Sequence, residues 1–560
     1  MYLQKKIIVA LIIVFGFSAK FSTELFCQYS NDHANALRIN DTSLATLGIT
    51  NVKVAYNEDN GKTYIAWLQQ ETSTKLFVYL QLLDKDGNFL WDKKPFLVTE
   101  CHATAGNSAD IHLQITSRDE AIVTTIDNSS TVYNTSVRYF KIDTNRNFLS
   151  EIEIYGSLMS SIQTGSNMII NENDELIFAI SIPIGVLIGK VMPNGSVFSE
   201  DVTINGATNP LLAFHSNGFY VVYLQEGGYY VDSYDNNFNT IWKATYVGNE
   251  TAVGLGGANV FSTAVKPDGE DGIFIMWEKE QLYLQRINKQ GDRLFDVDGI
   301  QISTNARNVA SSVLAIDKQS KAVNVAWYSD NATKFLTLAQ KISFDGAKLW
   351  GDDGVTLFET QSVSHLNYPI AIANIDDSST LLVASIYDLS LQSYELVAAN
   401  LTATGTNRLD NLLPINTDKS PRYLFNSTDY FRQQMVIVWL SIDSAEQPRV
   451  NAQNVSYYGK IGAGISEVAD IFSISNALMV IPNPVNSLIG NSFSINYFSD
   501  FVQNAIVRIF DIEGKLQYLD AVELNQGENN LSIQYNLSKG MYYIELQTSH
   551  SKVNQTFIIK

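Results

Sequence analysis

Apolar residues in this chain gather in short runs separated by polar, glycine-bearing turns, and the runs recur. Eight of them align: Tyr64–Leu68, Ala121–Ile126, Leu176–Ser181, Phe219–Leu224, Ile273–Trp277, Val323–Trp327, Leu381–Ile386 and Val436–Leu440. Four carry tryptophan at one register (Trp67, Trp277, Trp327, Trp439), and Tyr223 takes that place in the fourth copy. Ile273–Trp277 is apolar at consecutive positions, as a strand covered on both faces requires. Each run leads to a second strand that ends in a turn: Asp86-Gly87, Asn145-Arg146, Asn194-Gly195, Asn236-Asn237, Gln290-Gly291, Asp345-Gly346, Thr404-Gly405 and Tyr458-Gly459. Glycine and asparagine suit such turns because they tolerate positive φ. Several turns open into an apolar exit, as in Phe89-Leu90-Trp91, Thr240-Ile241-Trp242, Arg293-Leu294-Phe295 and Lys348-Leu349-Trp350.

From Trp67 through Thr125, Ile180, Tyr223, Trp277, Trp327, Ser385 and Trp439 the pattern repeats at propeller-blade spacing, about 50 residues. Immunoglobulin-like sandwiches need about 100 each. The fourth copy shows one unit: Leu211–His215, Phe219–Gln225, Tyr229–Tyr234 and Asn239–Tyr246 read as four antiparallel strands joined by tight turns. Such a sheet cannot bury both faces alone, so neighbouring sheets in a ring must cover it. The expected fold is all-β: a β-propeller of eight four-stranded blades, followed by a small C-terminal β-sandwich. Seven blades stay open, because the second, third and seventh copies lack the tryptophan. Ser43–Val54 is expected to supply the strand that closes the ring. A tryptophan at fixed register in a repeat is read as core packing rather than a ligand platform.

Composition adds the compartment. Lys5 and Lys6 precede an apolar run from Ile7 to Phe17, the length of a secretory signal and too short for a bilayer. Residues 1–28 therefore read as a signal peptide, cut after Ala19 or Cys27. No transmembrane segment is expected in the mature protein. A net charge of -20 argues against nucleic acid as a partner. With the cut after Cys27, Cys101 stays as an unpaired cysteine, read as a small buried residue. Residues 29–42 form a polar N-terminal segment, 43–461 the repeat domain, 462–476 a linker, and 477–560 a separate C-terminal domain.

That last domain carries Pro482-Asn483-Pro484, then Val507–Phe510 running into Asp511-Ile512-Glu513-Gly514-Lys515. Further on come Gly527, the stretch Leu537–Ile544 with Gly540 and Tyr542, and a final strand ending at Lys560. The ordered set resembles the type A C-terminal sorting domain of the type IX secretion system of Bacteroidota. The resemblance implies export across the outer membrane by that machinery. It also implies removal of the domain by a surface sortase-like protease, at a cut ahead of Pro482, and then release or attachment to the cell surface.

Local catalytic motifs are missing. Asp86–Trp91 departs from the Asp-box of sialidases, with Lys85 and Leu90 where that motif has its Asp and its aromatic. The histidines (His33, His102, His112, His215, His365, His550) show no metal-ligand spacing, and His102 and His112 read as surface residues. Asp352-Asp353 and Asp376-Asp377 lack the rest of a calcium loop. No cofactor is called for. The chain reads as an exported, non-catalytic binding or adhesion protein whose ligand is a glycan or another protein. The alternative is an extracellular polysaccharide hydrolase or lyase with carboxylates converging in the central funnel. A third reading, a surface-layer subunit, predicts self-association.

Overall fold

The computed structural model describes residues 28–41, 47–72, 75–101, 109–129, 134–157, 165–249, 263–278, 281–304, 310–330, 334–360, 368–376, 379–388, 393–407, 412–418, 420, 422–431, 434–443, 447–456, 460–463, 479–481, 492–499, 503–525, 527–548 and 552–559. The chain divides into two compact units, residues 1–466 and 467–560. The signal segment 1–27, Tyr458-Gly459 and most of the expected linker lie outside the described residues.

The first unit is built of four-stranded antiparallel sheets, eight among the described residues. Each of the eight aligned runs is the second strand of its sheet, from Thr63–Thr72 in the first to Met435–Ile442 in the eighth. Seven sheets take their strands in sequence order; Gly48–Tyr56, Thr63–Thr72, Lys75–Leu83 and Phe96–Cys101 form the first.

Burial explains the order. One apolar core lies between each pair of successive sheets, and another joins the eighth sheet to the first. The first strands of neighbouring sheets also touch in the same cyclic order. The register residue faces the preceding sheet: Trp277 packs on the fourth sheet, Trp327 on the fifth, Trp439 on the seventh and Trp67 on the eighth. All four indoles are fully buried. Trp67 and Trp277 stack on their cross-strand tyrosines, Tyr79 and Tyr283, with ring centroids 5.8 Å apart. Where the second sheet has Thr125 and the seventh Ser385, the adjoining core contains Trp91 or Trp350 from the sheet before.

The turns after the third strands share a side-chain device. In residues 84–88, Asp84 Oδ1 accepts from the N–H groups of Asp86 (2.9 Å) and Asn88 (2.8 Å). Asp143, Asp235 and Asn288 cap their own turns in the same way. The fourth residue takes positive φ; it is Gly87 in the first turn but Arg146 and Phe238 in the second and fourth. Asn236-Asn237 is therefore not where that backbone reversal falls.

Closure is made differently from expectation. Gly48–Tyr56 is the first strand of the first sheet, and the closing strand is Leu37–Arg38, paired with Pro448–Val455. The segment read as a polar leader is a clasp. Asn40 accepts from Val450 N–H (3.0 Å), and the His33 carbonyl accepts from Thr417 N–H (2.7 Å). Tyr29 is fully buried, and its N–H donates to the Asp86 carbonyl (3.0 Å). Its ring lies against Gly87, where a Cβ would come within 2.6 Å. A two-residue ladder is too short to show in hydrophobic periodicity, which is why a longer downstream run looked like the better candidate.

The second unit has a three-stranded sheet, Met479–Ile481, Ser492–Ser499 and Gly527–Gln534, and a four-stranded sheet, Gln503–Asp511, Leu516–Leu524, Gly540–Gln547 and Lys552–Ile559. They share one core, which includes Phe493, Ile509, Ile544 and Phe557.

Tyr29→Ala should lower the unfolding free energy of the mature protein by about 3–5 kcal/mol, the usual cost of truncating a buried aromatic. Chemical denaturation monitored by tryptophan fluorescence checks it; an unchanged midpoint would show that the clasp does not hold the ring.

Candidate functional site

A first strand pairs with only one neighbour in its own sheet, so its other edge needs partners from elsewhere. Side chains of adjacent sheets supply them. Asn426 Oδ1 accepts from Val54 N–H (2.9 Å), Asn167 Oδ1 accepts from Leu212 N–H (3.0 Å), and Gln114 Nε2 donates to the Met168 carbonyl (3.0 Å). These contacts draw polar side chains onto the inner strands of the ring.

The densest group spans the first three sheets. Asn51 Nδ2 donates to Asp110 Oδ1 (2.5 Å), and His112 Nε2 meets Ser166 Oγ at 2.8 Å. Asp110 Oδ2 lies 4.0 Å from the same His112 nitrogen. Alternation in the strand puts Asp110 and His112 on one side, and the first-strand contact brings Ser166 to them. Burial pushes the His112 imidazole from its ordinary 6.5 down to about 4, opposed by Asp110 and reinforced by Lys53. The ring is therefore neutral near pH 7. Serine, histidine and aspartate do not form a nucleophilic triad here. A triad base takes the serine on one nitrogen and the orienting carboxylate on the other, whereas both partners here address Nε2.

The structure corrects the sequence reading of His112, which is part-buried between sheets rather than a surface residue; His102, His365 and His550 lie outside the described residues. Cys101 is buried in the core between the first two sheets, and burial pushes its thiol up to about 12. Asp353 accepts from Thr304 N–H (2.8 Å) and Oγ1 (2.7 Å), so it fastens the sixth sheet to the fifth. Asp377 is outside the described residues.

Of the sorting-signal residues, Pro482, Asn483, Pro484 and Lys560 are outside the described residues. Asp511 caps its turn, accepting from the N–H groups of Glu513 (3.0 Å) and Lys515 (2.9 Å), with Gly514 at φ 80. The Lys515 N–H holds the Asp511 carboxyl below the usual carboxylate range. Gly540 opens the third strand of its sheet, and Tyr542 is buried, its hydroxyl donating to the Ser538 carbonyl (2.9 Å). Sequence reasoning missed the Asn51–Asp110–His112–Ser166 group. The group joins three sheets, and only the alternation Asp110-x-His112 hinted at it.

Two measurements follow. Between pH 6.5 and 4 the unfolded chain protonates His112 while the folded chain does not, so stability should fall as the pH drops through that window. The loss is at most about 3 kcal/mol, and His112→Gln should flatten the profile in urea titrations. Cys101 should resist a thiol reagent at pH 8 until denaturant is added; rapid labelling of the native chain would contradict its burial.

No curated protein matches the chain. Similar solved structures include a protein of unknown function from Bacteroides caccae, 16% identical, with 44% of this chain and 80% of that one covered at a TM-score of 0.26. Another is an oligogalacturonate lyase in complex with manganese, 10% identical, covering 62% and 96% at 0.34. A third is the NanB sialidase from Streptococcus pneumoniae, 10% identical, covering 76% and 71% at 0.34. Likenesses at this level carry no inference of activity. Among the described residues no helix is long and apolar enough to cross a membrane. Residues 479–560 match the secretion system C-terminal sorting domain, and they mark the chain as a type IX secretion cargo, secreted or held at the cell surface.

Proposed function

We propose that the ring is a non-catalytic binding module, carried out of the cell by its sorting unit, with a glycan or a protein as its ligand. The observation that carries this reading is how the ring spends its charged side chains. Lys141 pairs with Glu120 (2.6 Å), Lys190 with Glu175 (3.0 Å), Arg286 with Asp268 (2.7 Å) and Lys341 with Asp317 (2.9 Å). Asp84, Asp143 and Asp235 cap turns. Groups used in this way hold sheets together and are not poised for proton transfer.

Asn51, Asp110 and Ser166 offer both donors and acceptors on the inner strands, which suits hydroxyl- or amide-bearing ligands. The second reading, a polysaccharide hydrolase or lyase, is favoured by one observation: the partly exposed Asp110 carboxylate stands beside an imidazole that is neutral at pH 7. A surface-layer role would instead show as self-association of the purified chain.

After export, the sorting unit would be removed by the surface sortase-like protease at a cut ahead of Pro482. Each unit has its own core, which supports folding of the ring without residues 477–560.

The mature chain should be applied to arrays of glycans and matrix proteins while released reducing ends and unsaturated products are followed. Retention without products is expected. Product release abolished by Asp110→Asn or His112→Gln would replace the binding reading with the enzymatic one. Deleting 477–560 should leave a folded ring in the periplasm; a truncated chain still reaching the surface would refute the export reading.

A further inference from the structure

Of the signature residues that the structure describes, several serve the fold of the sorting unit. Asp511 and Gly514 make a turn, Tyr542 sits in the core, and Lys515 contributes its N–H to the Asp511 cap. The Asp511 turn and Tyr542 specify the fold of the unit, while the Lys515 side chain is exposed. Recognition of a folded unit needs an outward surface, and the four-stranded sheet has one.

Cross-strand pairing decides which residues share that surface. Val507, Ile509, Ile544 and Leu546 point into the core. Phe510 lies opposite both Leu516 and Tyr543, Arg508 opposite Leu519 and Glu545, and Met541 opposite Ile558, all on the other face. Leu516 is 46% exposed, Leu519 58%, Met541 46%, Tyr543 46% and Ile558 37%. Beside them Glu545 is held by Arg508 (2.8 Å) and Lys552 (2.8 Å). Large apolar side chains grouped this way on a water-facing sheet are unusual unless something covers them. The flanking ion pairs give the patch a polar border, as at protein interfaces.

We propose that this face is where the type IX machinery docks, through a protein surface carrying a complementary apolar strip. The occupant follows from the sorting match at residues 479–560, which implies the type IX machinery as a partner. The signature residues fold the unit, and Phe510, Leu516, Leu519, Met541, Tyr543 and Ile558 are what the receptor touches.

The test is export of the full chain from a host carrying the apparatus. Leu519→Glu combined with Tyr543→Glu puts two charges on the face without entering the core. Surface protein should fall at least tenfold, with the chain accumulating in the periplasm and keeping the melting temperature and protease resistance of the parent. Asp511→Ala, which removes a turn cap and a bond from Gln517 Nε2 (2.6 Å) but leaves the apolar face intact, should export within twofold of the parent while it remains folded. Normal export of the double variant overturns the proposal. So does a dimeric parent chain that the double variant makes monomeric while export is unchanged, since the face would then bind a second copy. If the double variant unfolds, Tyr543→Ser with Leu519→Ser is the second pair, read by the same criterion. Loss of export on deleting 477–560 belongs to the export reading itself and separates its failure from failure of this one.

Discussion

Everything in the first unit depends on one constraint: a four-stranded sheet that is apolar on both faces must be covered twice. A linear stack leaves its two end sheets wet, whereas a cycle leaves none. The cores run from first sheet to eighth and back to the first, and at every joint the second strands of both sheets contribute. The eighth sheet is special because its fourth strand comes from the start of the chain, so the ring is closed by the noncovalent pairing of Leu37–Arg38 with Pro448–Val455. There the chain brings its own beginning to its end. Leu37–Arg38 completes the eighth sheet, and Tyr29 fits under the first sheet's turn. Joining distant chain segments costs loop entropy, which grows only slowly with loop length, so modest contacts can hold the closure.

A second layer of order lies over the cores. At seven joints, a side chain from one sheet donates to the carbonyl of the second residue in the next sheet's turn. Trp91 reaches Thr144, Lys141 reaches Pro193, Lys190 reaches Asn236 and Trp242 reaches Lys289. Arg286 reaches Phe344, Trp350 reaches Ala403, and Gln434 closes the cycle on Lys85. The acceptor is always backbone, so any long donor serves. Each such bond contributes about 1 kcal/mol net. In the second, third and fifth sheets the donor is also the cation of a buried ion pair. Removing the carboxylate in the second or third sheet would strand a charge as well, at about 3–5 kcal/mol, whereas Arg286 of the fifth keeps Glu270 (2.7 Å).

This explains how much the sequence disclosed. The second strands were legible because consecutive apolar residues and a tryptophan register are local signals. So were the turns, although their asparagine and glycine pairs drew attention from the first residue, Asp84 or Asp143, whose carboxylate does the capping. The joints were not legible. Tryptophan, lysine, arginine and glutamine share no pattern in a linear scan, yet they do one job because the partner they need is a carbonyl. The clasp escaped for a related reason, since Asn40 and His33 bond to residues some four hundred positions away. The same holds for His112 and Ser166, which only the cycle of first strands brings together.

Polar contacts also tie the sheets to one another near the ends of their strands. Turns between first and second strands, and between third and fourth, sit at one end and are tied to their neighbours. Asp119 accepts from Asn57 and Lys62 of the sheet before, and Asp271 accepts from Ser216. A change in any of those turns disturbs two sheets at once. Sheets are tied at the opposite end as well: Ser181 Oγ accepts from Asn209 N–H (3.0 Å) and Glu278 Oε1 from Ser312 N–H (3.2 Å). Asp110 and Ser166 are the first residues of their strands and so stand at that opposite end. There Asn51 is bonded to Asp110 and His112 to Ser166 from sheet to sheet, so the polar groups of the inner strands are held in position by the same neighbours that cover the cores.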